Sequence, residues 1–273
     1  MPPARAAASP RPARLSAEAL ADALRPVADG TGAAVSVAVL DTGTGASARY
    51  GHGAYDTASV VKVGILAALL LRAQDAGRTL TAWERRQAGV MIERSDNRAA
   101  DALWRAIGGA DGFDAAGARL GLTGTRGGRG GSWGLTRTTA ADQLTLLRRI
   151  FPGGDEPSVL GARSRAYVSR LMGGVVPGQD WGVSAAAGDG AEAAATRLKN
   201  GWLPRSATGL WDVNSIGRVT ADGRTYLLAV LSRGHTGYAR GVAVVEAAAR
   251  AAVRAAARTA ARAAASTTAT PRA

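Results

Sequence analysis

Ala58-Ser59-Val60-Val61-Lys62-Val63-Gly64-Ile65-Leu66 is the stretch on which both the fold and the chemistry turn. From Val63 to Leu71 no polar side chain interrupts the run. A helix that is apolar all round belongs in the middle of a domain. Those nine residues are too few to cross a membrane, which takes ~20. In a helix, positions i and i+3 share a face, so the spacing predicts that the Ser59 hydroxyl and the Lys62 amine meet. Ser59 could instead cap the helix while Lys62 reaches out to solvent. The apolar surroundings favour chemistry.

The basic residues point the same way. Of 34 lysines and arginines, only Lys62 and Lys199 are lysine. Arginine stays protonated at any working pH, whereas a desolvated lysine can lose its proton and act as a base. A lysine that survives in so arginine-rich a chain marks a position arginine cannot fill.

Outward from the opening stretch, periodicity orders the chain. Ser16 and Glu18 predict a first helix to about Val27, and residues 33–40 and a segment ending near Tyr50 predict two strands around the Asp41–Gly45 turn. The central helix is expected to run from Ser59 to about Gly77. Thr81-x-x-Glu84 and Thr139-x-x-Asp142 are capping boxes opening helices to Ile92 and Ile150. Further helices are expected over 98–107 and 159–172, with one more turn or two over 111–120 and a glycine-rich loop over 121–137. Then the period changes. Residues 198–203, 212–219 and 224–232 predict three strands, the last two joined by the tight turn Asp222-Gly223, and an alanine-rich helix follows from Tyr238 past Ala255. Tight turns make neighbours antiparallel. The expected fold is therefore α+β: one five-stranded antiparallel sheet flanked by N- and C-terminal helices, with an all-helical lobe inserted. The expected organisation is a disordered basic tail over 1–14, a catalytic domain over 15–255 (sheet lobe 15–51 and 196–255, helical lobe 52–195) and an Ala/Arg-rich tail over 256–273. Sites favour the crevice between such lobes.

A formal charge of +13 raises the question of nucleic acid. The two tails carry eight arginines and no acid, leaving residues 15–248 with 26 basic and 21 acidic groups. So mild a core excess argues against a nucleic-acid partner. Cysteine is absent, which excludes disulfides and thiolate chemistry. The first 30 residues show no apolar signal-peptide core, and the compartment stays open. No His, Asp and Glu cluster has metal-ligand spacing, so neither a metal nor another cofactor is expected.

Two further polar clusters fall at lobe junctions. Ser95-Asp96-Asn97 supplies a hydroxyl and a carboxamide beside a helix start, where such residues also serve as caps. Lys199-Asn200-Gly201 supplies a cation able to orient a carboxylate, and a glycine that admits close backbone approach. The only histidines are His52 and His235, so a Ser-His-Asp arrangement is possible in principle.

In this order the three clusters, S-x-x-K, S-D-N and K-x-G, resemble those of the serine β-lactamase and penicillin-binding D-Ala-D-Ala peptidase superfamily, class A above all. The resemblance runs from about residue 16 to 250. It rests on Leu40-Asp41-Thr42-Gly43-Thr44-Gly45, Ala58-Ser59-Val60-Val61-Lys62, Arg94-Ser95-Asp96-Asn97, Thr138-Thr139-Ala140-Ala141-Asp142 and Leu198-Lys199-Asn200-Gly201-Trp202. It implies a hydrolase in which Ser59 is acylated, Lys62 assists its deprotonation, and Ser95 relays a proton to the leaving nitrogen with help from Lys199. Asn97 would hold the substrate's amide side chain. The backbone N–H groups of Ser59 and Trp202 would form the oxyanion hole. Asn200 and Gly201 would complete a site for a small-molecule or peptide-like substrate, and the chain is expected to be a monomer.

The sequence departs from that pattern in three places. Asn200 puts a carboxamide of different reach where the family has a hydroxyl. The segment between Ser59 and Ser95 is shorter than in class A enzymes. Residues 115–141 hold no Asp or Glu, so the loop carries no carboxylate to activate a deacylating water. Alternatives to a β-lactamase are thus a D-Ala-D-Ala-type peptidase, esterase or acyltransferase, or a non-hydrolytic protein binding β-lactams or peptidoglycan.

Overall fold

A computed structural model describes residues 15–153 and 158–268. The basic tail expected over 1–14 lies outside the described residues, as do the last five positions of the C-terminal tail. Strands Ala34–Asp41 (β1), Ser47–Tyr50 (β2), Arg197–Arg205 (β5), Leu210–Ala221 (β6) and Arg224–His235 (β7) form one antiparallel sheet in the order β2-β1-β7-β6-β5. This is the expected five-stranded sheet. The Asp222-Gly223 turn closes β6 onto β7 with both residues at positive φ, 52° and 70°. That backbone twist matches the twist of the strands it joins.

The sheet is buried on both faces, and its period-2 alternation sorts side chains between two cores. Val37, Val39, Leu228 and Val230 face helices Ala17–Ala28 (α1) and Tyr238–Thr268 (α9), meeting Leu20, Leu24, Val245, Ala248 and Ala252. Ala38, Leu40, Leu227, Ala229 and Leu231 face the other way, into the helical lobe. There helix Val61–Asp75 (α2) is buried from Val61 to Leu71 without interruption. Around it stand Ala82–Glu93 (α3), Asn97–Ala106 (α4), Gly109–Leu120 (α5), Ala140–Ile150 (α6) and Ala162–Met172 (α7). Thr81 and Glu84 exchange both hydrogen bonds of the expected capping box, and Thr139 caps α6 through the Asp142 N–H.

Three features escaped the sequence. Ser59 does not begin the α-helix but lies in a 3₁₀ turn, Ala58–Val60, that leads into it. Tyr55–Asp56 (β3) and Arg137–Thr138 (β4) pair as a second small sheet. A short helix, Ala191–Ala194 (α8), precedes β5. Two-residue strands carry no periodicity, and only pairing across the chain creates them. Among the described residues, no helix is long and apolar enough to cross a membrane.

Leu66 is fully buried midway along α2. Leu66→Ala should therefore cost about 2–5 kcal/mol in urea unfolding, the range for an unrelaxed core cavity.

Candidate active site

The Ser59 turn is held from several sides. The Asn214 carboxamide on β6 donates to the carbonyls of Asp56 (2.9 Å) and Thr57 (3.1 Å), while its own oxygen accepts the Ser232 N–H (3.0 Å). The Asp56 carboxylate receives Arg137 from β4 (3.1 Å) and Arg205 from β5 (2.8 Å). The Thr57 N–H bonds the Thr136 carbonyl (2.9 Å). This network holds Ala58 at φ 46°, a left-handed conformation costly for a residue with a Cβ. Edge strand β5 runs close against the same turn: a Cβ on Gly201 would lie 2.6 Å from the Ser59 nitrogen and 2.8 Å from the Val60 nitrogen. Only glycine fits there. Ser59 itself is half-buried and caps neither helix.

Lys62 and Lys199 are both fully buried, and they converge on Ser95. Lys62 Nζ lies 2.7 Å from the Ser95 carbonyl oxygen, 2.8 Å from Asn97 Oδ1 and 3.1 Å from Ser95 Oγ. Lys199 Nζ lies 3.0 Å from the same Ser95 Oγ and 3.0 Å from the Asn200 carbonyl oxygen. Lys62 thus bonds to the start of α4 rather than to Ser59, where the i, i+3 spacing had predicted its partner. The capping duty of the Ser95-Asp96-Asn97 cluster falls to Asp96, whose carboxylate accepts the Ala99 N–H at 2.7 Å. That leaves Ser95 and Asn97 free for the lysines, with Ser95 at φ 55°.

This geometry constrains the protons. A carbonyl and an amide oxygen can only accept, so Lys62 donates to both. A neutral Lys62 amine then keeps its lone pair for the Ser95 O–H, while a charged Lys199 donates to the Ser95 oxygen. The mirror arrangement, with Lys62 charged and Lys199 neutral, fits the same contacts. The hydroxyl is therefore a bridge along which one proton can shift between two amines. Burial, opposed by the charges of Asp96 and Asp101, pulls the Lys62 ammonium down to about 7. Lys199 is pulled well below the ordinary lysine range, first by burial and then by the charge of Lys62.

Alternation along β5 separates its four candidate residues. Gly201 faces the Ser59 turn and Lys199 reaches Ser95 on the same side, while Asn200 and Trp202 point through the sheet. The fully buried Asn200 carboxamide, expected to meet substrate, spends its bonds elsewhere. It donates to the Gln179 and Trp181 carbonyls (2.9 and 2.8 Å) and accepts from Ser215 Oγ (2.6 Å). Asn200 thereby ties residues 179–181 to the sheet, and its reach does not extend to the cleft. The Trp202 ring packs against Trp181 and Tyr238, with centroids 6.0 and 5.7 Å away, so only its backbone is available on the cleft side.

The acid-free loop supplies a residue that the sequence did not single out. Trp133 sets its ring under Lys62 Nζ, 4.8 Å from the centroid, and donates its indole N–H to Asp101 Oδ1 on α4 (2.7 Å). A lone tryptophan amid glycines was the available signal. Asn214 was missed too: its strand, β6, carries other polar residues, so the carboxamide did not stand out in the sequence. Neither histidine joins Ser59. His52 is exposed, and His235 pairs with the buried Ser232 hydroxyl at 2.7 Å.

The model of the "Beta-lactamase enzyme family" matches residues 71–256, a span that includes Ser95, Asn97 and Lys199 and begins after Ser59 and Lys62. "Putative lipoprotein LppW" of Mycobacterium tuberculosis is 31% identical over 176 residues, covering 63% of this chain and 55% of that protein. The chain thus spans about half the length of the curated relatives it matches. Among solved structures, a beta lactamase from Xanthomonas campestris superposes with a TM-score of 0.69 at 21% identity, over 88% of this chain and 97% of that one. The TLA-1 extended spectrum beta-lactamase does so with 0.74 at 17% identity, over 88% and 98%. A class A representative from Bacteroides cellulosilyticus gives 0.73 at 17%, over 88% and 97%. These likenesses show a shared fold.

Because the chain has just two lysines, lysine-selective ¹³C labelling should give two resolvable side-chain signals. The Lys62 Cε signal should titrate with a midpoint of about 7, and Lys199 well below the ordinary lysine value. Two signals that remain in the charged position up to pH 10 would contradict the shared-proton geometry.

Proposed function

This chain belongs to the beta-lactamase enzyme family, and from that premise we propose that it is a hydrolase attacking a β-lactam or a related amide through a covalent Ser59 acyl-enzyme. The observation that carries the reading is the pair of buried lysines sharing the Ser95 hydroxyl beside a strained serine turn.

Ser59 Oγ attacks the carbonyl carbon while the neutral Lys62 amine, turning its lone pair from the Ser95 hydroxyl to that of Ser59, takes its proton. The oxyanion that forms is met by the backbone N–H groups of Ser59 and Trp202, the former aimed by the Asn214 and Asp56 contacts. As the C–N bond breaks, Ser95 gives its proton to the leaving nitrogen and is resupplied by the now protonated Lys62 across their 3.1 Å contact, with electrostatic help from Lys199. Asn97, already bonded to Lys62, presents its remaining amide protons to the substrate. Lys199 and Gly201 line the floor. Asn200 serves indirectly by holding the strand. The substrate class rests on the family, and the solved neighbours named as beta-lactamases lend it support.

The acid-free loop favours a second reading, in which the same site serves a peptidase, esterase or acyltransferase, or traps a β-lactam without hydrolysing it. Rates of release separate the two.

Incubation with a fluorescent penicillin, followed by intact mass, should add one acyl group per chain, lost completely in Ser59→Ala. Labelling that persists in Ser59→Ala would refute the covalent reading. Lys62→Arg should slow acylation on the order of 10²-fold or more, since arginine cannot take the proton. In the wild type, a base active only when deprotonated makes the acylation rate climb with pH through about 7 and level off above it. A flat profile from pH 5 to 9 would exclude Lys62 as the base.

A further inference from the structure

We infer that Asp101 is the general base that releases the acyl group from Ser59, an assignment that rests on Ser59 being the acylated residue. Asp96 and Asp101 are the carboxylates that act on the Lys62 amine. Asp96 is occupied as the cap of α4. Asp101 stands four residues after Asn97, hence one turn along the same helix face. Asn97 itself touches Lys62 Nζ at 2.8 Å.

The loop that carries no acid is what fixes this acid in place. Trp133 donates to Asp101 Oδ1 at 2.7 Å while its ring lies under Lys62 Nζ. The next residue, Gly134, leans on the nucleophile turn, its Cβ position 4.0 Å from the Ala58 Cα. One short segment therefore touches the Ser59 turn, the base lysine and the Asp101 carboxylate together. Asp101 is half-buried, and Oδ2 has no hydrogen-bond partner among the described residues, so that oxygen is available to a water.

In the release step the water oxygen bonds to the ester carbon as Asp101 takes one of the water's protons. The bond from carbon to Ser59 Oγ then breaks, and the proton held by Asp101 returns to that oxygen. The products are free Ser59 and a carboxylic acid, with no oxidant or reductant involved. The acid is thus delivered by a helix and oriented by the loop.

Asp101→Asn tests this directly, because asparagine still accepts the Trp133 N–H but cannot take a proton from water. Each protein is acylated with a fluorescent penicillin, freed of excess reagent, and followed by intact mass as the label leaves. Asp101→Asn should still label at Ser59 and should lengthen the lifetime of the acyl-enzyme on the order of 10²-fold or more. Asp101→Glu, which retains a carboxylate, should release faster than Asp101→Asn. Trp133→Phe, which keeps the ring and loses the N–H, should lengthen the lifetime by a smaller factor. Equal lifetimes in wild type and Asp101→Asn, including the case in which neither releases, would overturn the assignment. Absence of any label on the wild type would instead refute the acyl-enzyme itself, and this inference with it.

Discussion

Two lysine amines buried against one serine hydroxyl are the constraint on which the site depends. Two full charges so close together in a core would be costly, because little water is present to screen them. Burial therefore drives the pair toward a single shared proton, with the Ser95 oxygen as its bridge. Each partner comes from a different part of the fold. Lys62 rides on the central apolar helix, Ser95 stands at the head of α4, and Lys199 projects from edge strand β5. The junction of the helical lobe with the sheet is thus also the place where a base can exist at neutral pH.

The Ser59 turn is organised by the opposite means, an excess of contacts rather than a shortage of charge. Ala58 is held at positive φ because β3 pairing, the two arginines on Asp56 and the Asn214 carboxamide all fix the residues just before it. Strain of this kind, of order 1–3 kcal/mol, persists only where its surroundings over-determine it. Gly201 completes the fit by letting β5 come within reach of the Ser59 nitrogen. Asn200 works one layer away, joining the 179–181 segment to the back of the same strand. Its carboxamide is occupied by Gln179, Trp181 and Ser215 on the face of β5 turned away from Ser59.

What the chain determined without its tertiary structure is whatever local pattern can encode. The unbroken apolar run after Lys62 required a buried helix, the late change of period required strands joined into an antiparallel sheet, and Asp222-Gly223 required a tight turn. The rarity of lysine marked Lys62 and Lys199 as chemically special, and the three motifs in order named Ser59 and Ser95. Tertiary structure alone decided which atoms meet. Helical spacing paired Lys62 with Ser59, whereas the fold turned its amine to Ser95 and Asn97, 33 and 35 residues away. Asn214 reaches across 157 residues to the Thr57 carbonyl, and Trp133 crosses 32 to Asp101. Periodicity reports which way a side chain faces over a few turns. Hydrogen bonds between distant segments depend on how whole elements pack, and no short stretch of sequence carries that information.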